Sequence, residues 1–248
     1  ASLIALQRNR VGGMRSYYTV DQVRAAEAEL FTRTAEGVPM QRAAYGLAIA
    51  VAHELRSRTG GIAARRVTLL VGSGDNGGDA LWAGSFLRKR GVRVDAVLLN
   101  PAKAHAKGLA ALRRSGGRVV TSVDDPELVV DGIVGISGTG PLRPDAAQLV
   151  STVRAPILAV DLPSGIDADT GTVHEPHVRA TLTVTFGMLR RAHLLDGVRL
   201  LRGLVVHVLR GQLQEPPPRL GTALRRVVLE RRVDGGAHHC GHRDPLLL

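Results

Sequence analysis

From Arg65 onward, short continuous apolar runs alternate with stretches of helical period. No other feature constrains the fold as much. "ARRVTLLVG" reads as a buried strand, "DALWAGSFLRKRG" as a helix stopped by Gly91, and "VRVDAVLLN" as a strand. "AKGLAALRRSGG" is the next helix and "RVV" a short strand. "ELVVDGIVG" is a strand, "PDAAQLVSTVRA" a helix, and "PILAVDLPSG" and "ATLTVTFGM" are strands. Strands apolar on both sides, separated by helices, make a parallel sheet covered on both faces. The expected class is α/β, a Rossmann-like three-layer α/β/α sandwich with a mainly parallel sheet. Two helices precede it. "TVDQVRAAEAEL" has Thr19 or Asp21 as its cap, and "VPMQRAAYGLAIAVAHELRSRTGG" ends at Gly60-Gly61.

The chain of 248 residues is long enough for one sizeable domain of this kind. Its expected span is 14–210, with Met14 as a plausible start. Residues 1–13 read as a leader outside the fold. Residues 211–248, rich in Arg and Pro, hold no lasting period and read as an irregular tail. The "HHCGH" run there reads as fortuitous rather than as a metal cluster.

In parallel sheets ligands bind at the carboxyl ends of the strands. The polar clusters fall there. The first is "GSGDNGGDA", whose Gly72, Gly74 and Gly77 have the G-x-G-x-x-G spacing of a dinucleotide fingerprint. That fingerprint wants pyrophosphate on the helix N-terminus. Asp75 and Asp79 oppose an anion in direct contact. The glycines instead let the backbone approach a sugar or a ring, while Asn76 and the acids bind a cation, hydroxyls or a transferring proton. A simple capped turn is the other reading. Asp95 lies near the distance expected of a ribose-binding acid, but in mid-strand rather than at a strand end.

The second loop, "VVDGIVGISGTGPLRP", follows Asp131. Gly135, Gly138 and Gly140 make a wall rich in backbone N–H groups, either a phosphate nest or ordinary turn glycines. The third, "AVDLPSGIDADTG", puts Asp161 at a strand tip, with Pro163 and Gly165 stiffening the turn around Ser164. Asp161 is a site candidate, or an acid satisfying local N–H groups. Ser164 lacks the G-x-S-x-G context of a hydrolase nucleophile. The fourth, "TFGMLRRAH", offers Arg190 and Arg191, either to an anionic ligand or as a solvated rim.

Composition removes several classes. The formal charge is +11, but it is spread along the chain, and aromatic residues make up only 3%. Stacking platforms for nucleic acid are therefore not expected. Cys240 is the single cysteine, so neither a disulfide framework within the chain nor a Cys-based zinc site is possible. A reducing, cytoplasmic location is expected. No apolar run reaches membrane-spanning length.

With the four loops in view, the chain resembles the NAD(P)HX epimerase family, the YjeF-type N-terminal domain, in its actinobacterial form. The likeness runs from about Met14 to about Val208. It includes "YTVDQVRAAE", "VPMQRAA", "VGSGDNGGDAL", "VVDGIVGISGTG", "AVDLPSGIDADTG" and "LTVTFG", in order. It implies interconversion of the R and S epimers of hydrated NADH and NADPH (NADHX and NADPHX). A dehydratase, expected as a separate chain, would then restore the cofactor. It also implies K⁺, held by Asn76, Asp131 and Ser164. The implied substrate contacts are Asp75, Asn76, Gly77, Gly78 and Asp79, then Gly135, Ile136, Ser137, Gly138, Thr139, Gly140 and Pro141, and Asp161. Asp161 and, second, Asp79 are the expected acid/base residues. A homodimer through the N-terminal helices is expected, as related domains commonly pair. Arg190 stands where the family has Lys, and "GLVVHVLRG" is a poor match to the family's closing strand. A binding module of the same fold without turnover is the alternative.

Overall fold

Thr19 starts the first helix as the sequence leads one to expect. In the computed structural model, which describes residues 16–194, 204–208 and 228–230, its Oγ1 accepts from the Gln22 N–H at 3.3 Å. Gln22 Oε1 in turn accepts from the Thr19 N–H at 3.0 Å, completing a capping box. The strand β1 (Tyr17–Tyr18) leads into α1 (Val20–Thr32), and α2 (Val38–Thr59) follows. Gly60 ends α2 in the left-handed region, at φ 73°, with its N–H on Arg56 O.

The alternating unit then runs β2 (Arg66–Val71), α3 (Asp75–Arg88), β3 (Arg93–Leu98), α4 (Ala106–Arg114), β4 (Arg118–Val120), β5 (Leu128–Gly132), α5 (Pro144–Thr152), β6 (Ile157–Val160) and β7 (Leu182–Phe186). After it come β8 (Leu189–Arg190), β9 (Leu204–Val208) and β10 (Val228–Glu230). The main sheet has the order β10-β9-β7-β6-β5-β2-β3-β4. All its pairings are parallel except β10 on β9. A second, two-stranded sheet pairs β1 with β8 in parallel.

Period-two alternation sends the strand side chains to both faces. Leu69, Val130, Leu158 and Val184 pack with Leu47 and Val51 of α2, Leu81 and Leu87 of α3 and Leu112 of α4. Leu70, Val129 and Ala159 pack on the other face with Ala146 and Leu149 of α5. The fold is therefore the expected three-layer sandwich. Its strand order reverses at β2, which has β3 on one side and β5 on the other. Such a reversal opens a crevice at the carboxyl ends of β2 and β5.

Two details differ from the sequence reading. The helix expected from Asp79 begins at Asp75, so Asp75, Asn76, Gly77 and Gly78 are its first turn rather than a loop. Asn and Gly are weak helix formers, and tertiary packing overrides their propensity. The "GLVVHVLRG" run contributes β9, which pairs with β7 over Leu182–Phe186, and β10 stands within the stretch read as an irregular tail. The boundaries at 13/14 and 210/211 and the "HHCGH" run lie outside the described residues.

Candidate active site

The crevice is built by glycines that allow backbone to touch backbone. A Cβ on Gly72 would lie 1.8 Å from Ile133 O, and one on Gly77 would lie 2.2 Å from Gly72 O. The expectation that the glycines let the backbone approach a sugar or a ring is corrected for Gly72 and Gly77, whose bare Cα positions face protein backbone and serve the packing of α3 on β2 and on the end of β5. Gly74, the residue before α3, has nothing within 4 Å of a Cβ position. Asp75 is exposed in the first turn, where the helix dipole favours a negative charge.

Asn76, one residue on, is buried. Its Nδ2 donates to Val160 O at 2.7 Å, which leaves Oδ1 without a donor among the described residues. That oxygen faces Gly135, where a Cβ would stand 2.4 Å away. Adjacent Val134 donates its N–H to Ser164 Oγ at 3.0 Å. Ser164 Oγ donates to Asp131 Oδ1 at 2.8 Å, and the Ser164 N–H donates to Asp131 Oδ2 at 2.9 Å. The Ile133 N–H completes the set on Oδ1 at 3.1 Å. Burial pushes the Asp131 carboxyl up to about 6, against the lowering effect of these hydrogen bonds. All its donors are neutral.

Asp79 lies one turn further along α3 and is buried, with Oδ1 unpartnered among the described residues. Burial holds its carboxyl well above the usual range, and the charges of Asp161, Asp75 and Glu27 add to the effect.

Asp161 sits just past β6 with φ 61°, a left-handed conformation uncommon for a non-glycine residue. Such strain persists only where surroundings enforce it. Here the Asp161 N–H donates to Val184 O at 2.8 Å, and its carbonyl accepts from His193 Nε2 at 2.7 Å. The tautomer follows from the other ring nitrogen, since Nδ1 accepts the Arg190 N–H at 3.0 Å. Asp161 Oδ1 accepts from Thr185 Oγ1 at 3.2 Å and from Arg190 Nη2 at 3.3 Å. Arg190 is 2% exposed, and its Nη1 also donates to Phe186 O and Met188 O. The expectation of a solvated rim is corrected for Arg190, which is buried with Nη2 on Asp161 and with Nε unpartnered among the described residues. Arg191 is exposed.

The sequence profile of the family described as "YjeF-related protein N-terminus" matches residues 37–192. The chain belongs to this family. It is 58% identical over 186 residues to the bifunctional NAD(P)H-hydrate repair enzyme Nnr of Mycobacterium tuberculosis, an alignment covering 73% of this chain and 39% of that protein. The chain thus spans about two-fifths of the length of the bifunctional relatives it matches. It is 43% identical to a NAD(P)H-hydrate epimerase of Microbacterium testaceum, covering 72% of this chain and 77% of the relative. The epimerase of Clavibacter sepedonicus is 35% identical, with 79% and 91% covered. The crystal structure of yeast ynu0 shares the fold, at a TM-score of 0.65 and 17% identity, over 88% of this chain and 97% of that one.

In this YjeF-related domain Asp131 and Ser164 are hydrogen-bonded to each other, and Asn76 lies against Gly135, next to the Val134 N–H that donates to Ser164. Asp79 and Asp161 share one electrostatic neighbourhood. Of the 135–141 loop, Gly138 N–H closes a turn on Gly135 O at 3.0 Å. Ile136 packs on Leu162 and Ala192, and Ser137, Thr139 and Pro141 are exposed. Asp95 does not join them; it is buried in β3 and held by Arg118 through two hydrogen bonds of 2.8 and 2.9 Å. Thr185 and His193 both lie within the "TFGMLRRAH" segment that the sequence flagged, Thr185 as the end of its strand, whereas Glu27 and Arg24 were not singled out. Glu27 and Arg24 lie on a helix, where attention to strand ends does not reach.

Proposed function

We propose that this chain is an NAD(P)H-hydrate epimerase, an isomerase interconverting the R and S forms of NADHX and NADPHX. The observation that carries the reading is a pair of neighbouring carboxyls in unlike settings. Asp79 is buried, its Oδ1 has no partner among the described residues and burial raises its carboxyl well above the usual range, while Asp161 meets a guanidinium. A buried carboxyl raised above its usual range suits a proton donor, and a carboxylate beside a guanidinium suits an acceptor. The names carried by the Microbacterium and Clavibacter relatives support the same reading.

Inversion occurs at the carbon that bears both a hydroxyl and the ring nitrogen. Asp79 gives its proton to the hydroxyl oxygen, the C–O bond breaks, and water leaves as the nitrogen lone pair forms C=N⁺. Water then adds to the opposite face and gives a proton to the Asp161 carboxylate. Proton return from Asp161 to Asp79 resets the site, with no net change in atoms or charge. The first turn of α3 (Asp75 to Asp79) and the 135–141 loop bind the nicotinamide half.

Asn76 Oδ1, the Asp131 carboxylate and Ser164 Oγ are hard oxygen donors, and a buried carboxylate with only neutral donors suits a cation. We assign them to K⁺, which when bound would supply positive charge against the surrounding acids. A dehydratase acting on the S form is the functional partner, consistent with the bifunctional name of the mycobacterial relative. Among the described residues no helix is long and apolar enough to cross a membrane. The cytoplasm is the proposed location. Pairing of two chains through the N-terminal helices belongs to the same reading, with the 59%-exposed Phe31 of α1 as an apolar contact.

The test supplies R-NADHX together with an S-specific dehydratase and ATP in K⁺ buffer, and follows NADH absorbance. Wild-type protein is expected to exceed the spontaneous rate. Asp161→Asn is expected to lose on the order of 100-fold or more. Only the spontaneous rate, from protein shown to be folded, would favour a binding module of this fold without turnover.

A further inference from the structure

α1 lies outside the family match, which begins at residue 37 while the helix ends at Thr32. Three contacts nevertheless hold it against the site. Tyr18 pairs with Arg190 in the β1–β8 ladder, so the helix starts beside the strand that carries the buried arginine. The Val20 N–H donates to Asp169 Oδ1 at 2.8 Å, and its side chain packs against the cluster of Leu162, Ile166 and Ala192. One turn on, Arg24 Nη2 donates to Ser137 Oγ at 3.0 Å, which ties the helix to the 135–141 loop.

The 3.6-residue period puts residues 20, 23, 24 and 27 on one face. Val23 on that face is buried and Glu27 half-buried, so Glu27 is the acid that α1 turns inward. The charges acting on it are Arg190, Asp161 and Asp75, from β8, the end of β6 and α3, together with Arg24. Burial raises its carboxyl above the ordinary value. A solvent-facing helix needs no inward acid for its stability, and partial burial of a carboxylate is unfavourable unless something hydrogen-bonds it. The Arg190 guanidinium gives Nη2 to Asp161 and Nη1 to two carbonyls, and its buried Nε has no hydrogen-bond partner, Glu27 included, among the described residues.

We propose that α1 is a wall of the reaction site and that Glu27 contacts the substrate, accepting a hydrogen bond from a donor on the nicotinamide half of the hydrated dinucleotide. The carboxamide N–H and the hydroxyls of that half are the chemistry an acceptor here would recognise. The inference rests on the epimerase reading and makes the segment before residue 37 part of the functional unit.

The experiment compares wild type, Glu27→Gln and Glu27→Asp in the full chain by epimerase kinetics, and by equilibrium binding of NADH hydrate, with melting temperature as the control for folding. Glu27→Gln keeps the shape but offers the substrate a weaker acceptor. KM is expected to rise by roughly tenfold or more with a much smaller change in kcat, the range of one hydrogen bond to a charged group. Glu27→Asp is expected to recover part of the loss, and the melting temperature to stay near that of wild type. KM and affinity within twofold of wild type for Glu27→Gln would overturn the inference while the epimerase reading stands. Wild type with no turnover above the spontaneous rate would overturn the epimerase reading, and binding would then decide: equal affinity of wild type and Glu27→Gln, or no binding by either, overturns the role of Glu27.

Discussion

Raising the pH should destabilise this protein across a range where most proteins are indifferent, if no cation is supplied. The Asp131 carboxyl stands at about 6 in the fold against an ordinary value of 3.8. The native state therefore binds the proton more tightly than the unfolded chain, and stability falls as pH rises through this window. The full effect, about 2.2 pK units at 1.36 kcal/mol each, is about 3 kcal/mol. Between about pH 5 and about pH 7 the share from Asp131 is about 1.3 kcal/mol. Asp79 acts in the same direction, since its carboxyl is also raised. Asp167 and Glu36 are lowered and act oppositely, but their windows end near their ordinary values of 3.8 and 4.5. The assay is urea unfolding in tetramethylammonium buffers over this range, for wild type and Asp131→Asn. The difference between the two pH slopes isolates the carboxyl. Adding K⁺ should reduce the loss in wild type most at the higher pH, because an ion at Asp131 requires the ionised form. Equal slopes in the two proteins, or a K⁺ effect independent of pH, would refute the reasoning.

Arg190→Met removes the cation beside buried Asp161 and should destabilise by about 3–5 kcal/mol, a fall in Tm of about 10 °C by differential scanning fluorimetry. Arg190→Lys keeps the charge, loses the second hydrogen-bonding arm, and should fall less. Gly77→Ala drives a methyl group to 2.2 Å from Gly72 O and should destabilise by about 1–3 kcal/mol or more, measured by urea unfolding. Gly74→Ala, with open space at its Cβ, is the near-neutral control.

The alternation of buried strands and helices was legible in the sequence because its signals are local. Strand burial on both faces, the Thr19 box and the Gly60 stop each depend on residues a few positions apart. Asp131, Asp161, Asn76 and Ser164 were legible as candidates for the same reason, as polar residues where apolar strands end. The tertiary structure alone decided what they do together. The glycine fingerprint has one sequence pattern, but its use for backbone packing depends on Ile133 O arriving from β5, 61 positions beyond Gly72. Arg190 and Arg191 are indistinguishable as adjacent letters. One ends β8, buried against Asp161 29 positions away, and the other opens the 3-10 turn that follows and is exposed. Local period and turn chemistry act within a few residues, so they are written in the sequence. Proton affinity and ion pairing depend on groups that only the closed fold brings together, through the burial that removes water from between them.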